Sequence, residues 1–448
     1  MTYKNSSILR RLCLIIAASG CLLAMSQSNS AVRAQSLDFL RQQGRAMLSA
    51  IQVDIKRNYY DASFHGADIE ARFGEADVKM KQAASINEIL EIIATVVDSI
   101  EDSHTFFLPP SRTVRIEHGW QMQMIGDGCY VTAVQPGSNA EAVGLTPGDK
   151  ILVLEGIRVT RANLLRLEYN VYLLGPRAGM KMLIERPNGN KKQMEVMAKV
   201  TEGKTLINLQ TGMSSDTLNV IRDAQTEARL HRHRYYEIGD SHIIWKMPSF
   251  DLADRQVDAI IDKARDRKAV IIDLRGNSGG SEETLLRLIG NFFDHDVKIG
   301  DLKRRKETKA LIAKTRGDRA FKGQLVVLVD SDSGSASELF ARVVQIEKRG
   351  IVIGDRTAGK VMRARYYDHV VGAGPVIPYG VSITDADIIM TDGKSLERAG
   401  VTPDELLIPT ASDLATKLDP VLSRAAKVAG LDLSPEKAGA LFPVEWRK

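Results

Sequence analysis

Beyond about residue 240 the chain alternates short, wholly apolar runs with amphipathic ones. Ile243-Ile244-Trp245, Ala269-Val270-Ile271-Ile272 and Leu325 to Val329 carry no polar residue at alternate positions. Such runs predict central strands covered on both faces. Asp251 to Arg267 and Glu282 to Phe293 lie between them with apolar residues at helical spacing. Strand–helix alternation of this kind predicts an α/β layered domain, here over residues 241–410. A last helix is predicted over Ala411 to Ala429, with Leu414, Leu418, Val421 and Leu422 turned inward, in a tail of residues 411–448.

Upstream the pattern changes twice. Residues 35–111 read as helical: Ser85 and Glu88 have the spacing of a capping box, and Ile89, Ile93, Val96, Val97 and Ile100 follow on one face. Residues 112–200 read as short strands and turns. Tyr130 to Val134 is a strand, a short helix follows Pro136-Gly137-Ser138, and Ile151 to Leu154 is the next strand. A second helix covers Arg161 to Leu174, and Asn188-Gly189 closes a hairpin. Residues 201–240 are polar and read as a linker or surface helix. Their run His231-Arg232-His233-Arg234 is a solvated face, since neighbouring arginines disfavour a metal there.

The N-terminus is of another kind. Lys4, Arg10 and Arg11 precede an apolar run of about 14 residues, Leu12 to Met25, and Val32-Arg33-Ala34 ends in small residues. This is the pattern of a secretory signal cut after Ala34. An uncleaved signal would leave a membrane anchor, although the run is short against the roughly 20 residues a span needs. Cys21 follows Ala18-Ser19-Gly20, which leaves lipidation there as a variant. The charge argument changes as a result. The formal charge is +5, and residues 1–34 hold four cations and no anion, so the remainder is near +1. No nucleic-acid partner follows from that. Of three cysteines only Cys129 lies outside the signal, so no internal disulfide is expected. At 448 residues, 44% hydrophobic and 26% charged, the chain is a globular protein of more than one domain.

Two turns carry the chemistry. Leu325 to Asp330 leads through Ser331-Asp332-Ser333-Gly334 into a helix from Ser335, with Leu339, Phe340 and Val343 on one face. A serine at such a strand-to-helix turn has free backbone N–H groups beside its hydroxyl, fit to bind an oxyanion. It needs a base to act as a nucleophile, and otherwise merely caps the helix. Lys360 lies 25 residues on, after the strand Ile351-Val352-Ile353. The other turn is Asp273-Leu274-Arg275-Gly276-Asn277-Ser278-Gly279-Gly280. Its Gly276-x-Ser278-x-Gly280 formally matches a nucleophile elbow, which would make Ser278 the nucleophile with Asp355 and His369 as partners.

Two resemblances follow from these strings. Pro136-Gly137-Ser138-x-Ala140-x-x-x-Gly144-Leu145-x-x-Gly148-Asp149-x-Ile151 resembles a bacterial PDZ domain, which implies a peptide-binding loop at Gly119-Trp120-Gln121-Met122. Gln121 stands where a second glycine is common. The order Asp102-Ser103-His104-Thr105, PDZ, Asp273 to Gly280, Ser335-Ala336-Ser337-Glu338, Thr357-Ala358-Gly359-Lys360 and Gly400-Val401-x-Pro403-Asp404 resembles the C-terminal processing (tail-specific) serine peptidases, which are tricorn-related. The resemblance implies a core of the ClpP/crotonase kind with an inserted PDZ domain. It makes Ser335 the nucleophile and Lys360 the base, with Glu338 orienting the lysine. It forms the oxyanion hole from Gly279 and Ala336, and reduces Ser278 to a turn residue. It implies no metal or organic cofactor, protein or peptide substrates with exposed C-termini, and a periplasmic or extracellular place.

Free lysine titrates near 10.4, whereas a useful base needs roughly 7–8, so Lys360 is expected to be buried against apolar neighbours. His104 occupies the position of the tricorn-type base and is the rival. Val361-Met362-Arg363 departs from the family's usual glycine and glutamine, which puts the loop's geometry in question. Two readings from other classes stay open: a non-catalytic PDZ scaffold on a degenerate core, and a crotonase-like acyl enzyme.

Overall fold

The computed structural model describes residues 37–110, 114–175, 177–202, 230, 232–372 and 377–447. The expected signal, His231 and most of the expected linker lie outside the described residues. Among the described residues no helix is long and apolar enough to cross a membrane.

The apolar runs form the centre of a six-stranded sheet. Its order is β10 (Arg234–Ile238), β11 (His242–Lys246), β12 (Ala269–Asp273), β15 (Gln324–Val329), β16 (Ile351–Gly354) and β19 (Glu405–Leu406). All neighbours are parallel except β10 and β11. Successive side chains point to opposite faces, so each strand feeds two cores. Val270, Ile272, Leu325 and Val327 pack against α6 (Asp254–Ala264), α7 (Glu282–Gly290) and α8 (Ala336–Ile346). Ile271, Val326, Leu328 and Ile353 pack against α10 (Pro420–Val428). The single C-terminal helix expected over Ala411 to Ala429 is two helices, α9 (Ala411–Thr416) and α10. Lys417 adopts a left-handed φ of 59°, and Asp419 caps α10 ahead of Pro420. A third helix, α11 (Pro435–Leu441), follows.

The expected linker is also corrected where it is described. Its start belongs to β9 (Lys199–Glu202), which pairs with β2 (Val114–Glu117), and its end is β10. β10 is an edge strand with three of five residues exposed, so it shows no apolar alternation to read.

A second, antiparallel sheet joins β1 (Phe106–Leu108), β13 (Val297–Lys303), β14 (Thr308–Ala313), β17 (Met362–Val371) and β18 (Ile377–Met390). β1 pairs with β18, so the N-terminal region is not helical throughout. Its helices, α1 over 37–58, α2 (Ile69–Met80) and α3 (Ile86–Asp98), pack on Val381 and Ile383 of β18.

Residues 120–197 form a module with its own sheet and core. Its sheet runs β3 (Trp120–Ile125), β4 (Gly128–Val134), β5 (Lys150–Leu154), β7 (Gly179–Glu185), β8 (Lys191–Met197), with β6 (Ile157–Arg158) beside β5. It carries the short α4 (Asn139–Ala142) and α5 (Leu164–Glu168), which runs into a π turn at Tyr169–Leu174. The module sits on the α/β core through polar contacts. Arg161 bridges Gly126 O and Asp355 Oδ2 at 2.8 and 2.7 Å, and Gly126 N donates to Asp355 Oδ2 at 2.8 Å. Gln123 donates to Asp330 and Asp332 at 2.6 and 2.9 Å, and Ser331 Oγ to Met124 O at 2.6 Å.

Candidate active site

Ser335 stands where β15 turns into α8, in a conformation with φ 52° and ψ −115° that non-glycine residues rarely adopt. Its Oγ makes no capping hydrogen bond, so the reading of Ser335 as a mere helix cap loses its basis. The first turn of α8 spends its N–H groups inward: Ser337 N on Gly334 O, Glu338 N and Leu339 N on Ser335 O. The N–H of Ala336 has no acceptor among the described residues.

The turn after β12 packs directly against this one. Gly334 N and Ser337 Oγ donate to Asn277 O at 2.9 and 2.8 Å, Ser333 Oγ to Leu274 O at 2.9 Å, and Gly276 N to Asp330 Oδ1 at 2.9 Å. The turn is held from below by buried Asp273. Burial works against that carboxylate's charge, but Arg275 and Lys246 outweigh it and hold it well below the usual range. Arg275 forks onto Asp273 and onto Asp419. Gly279 has φ +110°, and a Cβ there would stand 2.7 Å from Ser335 Cβ and 3.1 Å from Ala336 N. The expected role of Gly279 as a donor is corrected: its N–H already donates to Asn277 Oδ1 at 2.8 Å. The neighbouring Gly280 N–H has no acceptor among the described residues.

Glu338 is fully buried and accepts four hydrogen bonds: from Thr357 Oγ1 (2.5 Å), Gly359 N (2.7 Å), Lys360 N (2.9 Å) and Ser335 N (3.0 Å). Burial raises its pKa against the pull of these donors. It fixes the lysine loop to the serine turn through backbone groups, not by gripping the amine. Ser335 N also donates to Lys360 O at 2.8 Å. Lys360 itself is half-buried, short of the full burial expected of a neutral lysine base. Its ammonium acts on His104, Glu168 and Asp332. Asp332 is raised to about 7, first by the protein around it and then by Asp330 and Glu168, even though the residue is exposed. The departure at Val361 is supported by a partner of its own, since Val361 N donates to Glu397 Oε2 at 3.0 Å.

Glu397 was not anticipated. It accepts from Ser103 N (2.9 Å) and Ser103 Oγ (2.8 Å), and Ser103 Oγ lies 2.7 Å from His104 Nδ1. A carboxylate accepts only, so the Ser103 hydroxyl donates to Glu397 and accepts from His104 Nδ1–H. That assignment leaves Nε2 with its lone pair. Burial first, and the Lys360 charge as well, lower the His104 pKa against the opposing field of Asp102. Asp102 folds the segment by accepting from His104 N, Thr105 N and Thr384 Oγ1 at 2.8, 2.7 and 2.7 Å. The elbow alternative is not assembled. Ser278 is exposed, Asp355 is engaged by Gly126 and Arg161, and His369 pairs with Asp54 at 2.7 Å. Gly119, Trp120, Gln121 and Met122 line a separate cleft in the β-module.

Gly279→Ala is expected to lower kcat on a peptide substrate by about 10²-fold or more, because its methyl group fills the space between Ser335 and the Ala336 N–H. The strained φ adds roughly 1–3 kcal/mol of destabilisation. Turnover measured beside a thermal melt separates the two, and near-normal kcat contradicts an anion pocket at this point.

Residues 244–407 match peptidase family S41. A chloroplastic C-terminal processing peptidase of Tetradesmus obliquus is 24% identical over 412 residues, covering 86% of this chain and 80% of that protein. The tail-specific protease of Haemophilus influenzae is 26% identical over 359 residues, which is 75% of this chain but only 48% of that protein. Among solved structures, mature CPAF complexed with lactacystin superposes with a TM-score of 0.61 at 15% identity, over 87% of this chain and 98% of that one. The photosystem II D1 C-terminal processing protease does so with a TM-score of 0.51 at 19% identity, over 89% and 99%. The chain carries a peptidase S41 domain and is a serine-type peptidase.

Proposed function

We propose that this chain, built on its peptidase S41 domain, is an exported endopeptidase in which Ser335 attacks a peptide carbonyl. The observation that carries this reading is the Ala336 N–H, without an acceptor among the described residues, next to a serine held at positive φ and packed against the Gly279 turn. An oxyanion formed at the attacked carbon would find a backbone donor already fixed there, without reorganisation. Ser335 gives its proton to a base and bonds to the carbonyl carbon. The tetrahedral intermediate then expels the amine, which takes that proton, and water hydrolyses the remaining ester. His104 is the first reading of the base: its Nδ1 is tied through Ser103 to Glu397, its Nε2 has no hydrogen-bond partner among the described residues, and burial first, with the Lys360 charge, lowers its pKa and disfavours the imidazolium. Lys360 is the second reading, supported by the direct contact of its backbone with Ser335.

Export is supported by the basic and apolar N-terminal pattern of residues 1–34. Residues 112–200 act in this reading as a PDZ domain that receives substrate C-termini. The order of short strands around α5, the free edge of β3 and the cleft at Gly119 to Met122 support it. In this reading residues 35–111 are an N-terminal region of helices ending in β1, 241–410 the ClpP/crotonase-like core and 411–448 the tail. The non-catalytic scaffold reading leaves the four-bond Glu338 clamp without a purpose. A fluorophosphonate probe decides between the two: covalent labelling mapped to Ser335 by mass spectrometry is expected, and absence of labelling in a chain that melts cooperatively supports the scaffold.

A further inference from the structure

The β-module has a cleft of about 320 Å³ at its end, and one wall of it is the chain's own tail. The turn at Gly119 forms the floor. Its φ is +71°, and a Cβ there would stand 2.6 Å from Ser138 Cβ, so the position requires glycine. Trp120, 4% exposed, lines the cleft, and among the described residues neither its indole N–H nor His118 Nδ1 beside it has a hydrogen-bond partner. Buried donors and acceptors without partners are uncommon and call for an explanation, which a rearrangement of the cleft around a bound peptide would supply. The adjoining strand β3 is the end strand of its sheet, so its outer N–H and C=O groups face no other strand among the described residues.

Trp446 and Arg447 reach this cleft from the core side. Gln135 Nε2 donates to Arg447 O at 3.4 Å, in the segment whose N–H at residue 135 also bonds Gly119 O. Two acidic residues, Glu117 and Glu168, line the same cleft as the basic Arg447. The tail is led there by anchors on β10 and just ahead of it. Arg232 donates to Glu445 Oε1 at 2.9 Å, Arg234 donates to Pro443 O at 3.2 Å, and the Arg234 guanidinium stacks over the Phe442 ring. These contacts use side chains and internal carbonyls, and need no terminal carboxylate.

We propose that this cleft is a peptide site whose resident occupant is the chain's own segment Pro443–Arg447, which competes with other peptides for it. The inference rests on reading the β-module as a peptide-binding unit. A tethered occupant leaves only the tail-released fraction open, and apparent affinity for a peptide supplied from outside falls by that fraction.

The test uses the Ser335→Ala chain, so that no probe is cleaved. Fluorescein-labelled peptide of residues 439–447, and separately a labelled Gly-Ser peptide ending in Leu-Val, are titrated into the full chain, a chain stopped after Phe442, and the full chain with Trp446→Ala. Both peptides are expected to bind the shortened chain about tenfold or more tighter than the full chain, with Trp446→Ala in between. Equal affinity in all three chains overturns the proposal. A shortened chain that binds the Gly-Ser peptide but not the 439–447 peptide also overturns it and leaves the peptide-binding reading standing. Binding of neither peptide overturns both. Should the shortened chain fail to fold, Trp446→Ala decides alone, since it leaves α11 and the β10 anchors intact.

Discussion

Ser335→Ala is expected to lower peptide-bond cleavage by about 10⁴-fold or more, the scale on which removing a serine nucleophile acts. The stability should hardly move. The hydroxyl makes no capping bond, and Ser335 N keeps its acceptors at Lys360 O and Glu338 whatever the side chain. A change within about 0.5 kcal/mol is therefore expected, as for a substitution that removes no packed group. The measurement is turnover of a fluorogenic peptide, with a urea melt of each chain. Ser278→Ala serves as the comparison, because Ser278 is exposed and its turn is held by Asn277 and Asp273 instead. It should keep close to full activity. If Ser335→Ala retains activity within about tenfold of the parent, another nucleophile is at work and the assignment ends.

Much of this site was legible in the sequence because it is made of local geometry. A strand buried on both faces leaves an apolar run with no period, and three such runs marked the sheet. The turn after each had to bring backbone close to backbone, which left glycines at 279 and 280 and a serine before a helix. What could not be read is the set of long-range partners. Ser103 and Glu397 lie 294 positions apart, and nothing in either segment's periodicity points to the other. The same holds for Thr357 and Val401, joined through the Thr357 hydroxyl at 2.6 Å. Gly279 shows a finer limit. The resemblance named Gly279 as an oxyanion donor, but nothing in the sequence could show that the Asn277 amide oxygen takes that residue's N–H. Edge strands such as β10 were missed for the opposite reason: an edge exposed to water needs no apolar pattern.

The identity of the base carries the second large expected effect. A protonated imidazole cannot take the Ser335 proton, so with His104 as base the rate falls as pH drops through the His104 pKa. That pKa lies below its ordinary value because burial and the Lys360 charge both disfavour the imidazolium. The acid limb of kcat/KM is then expected below about pH 6.5, with a flat profile from there through neutrality. A lysine base would instead place the limb at roughly pH 7–8. His104→Ala is accordingly expected to lower kcat by about 10²- to 10⁴-fold, and Lys360→Met by about tenfold or less. Ser103→Ala should fall between them and shift the acid limb, because it breaks the tie that fixes the proton on Nδ1. A merely structural role for Ser103 would lower the melt and leave the limb where it was. Near-parental activity in His104→Ala, joined to loss in Lys360→Met and an acid limb above neutrality, would move the proton to the lysine and leave the Ser103–Glu397 pair as scaffolding for the loop.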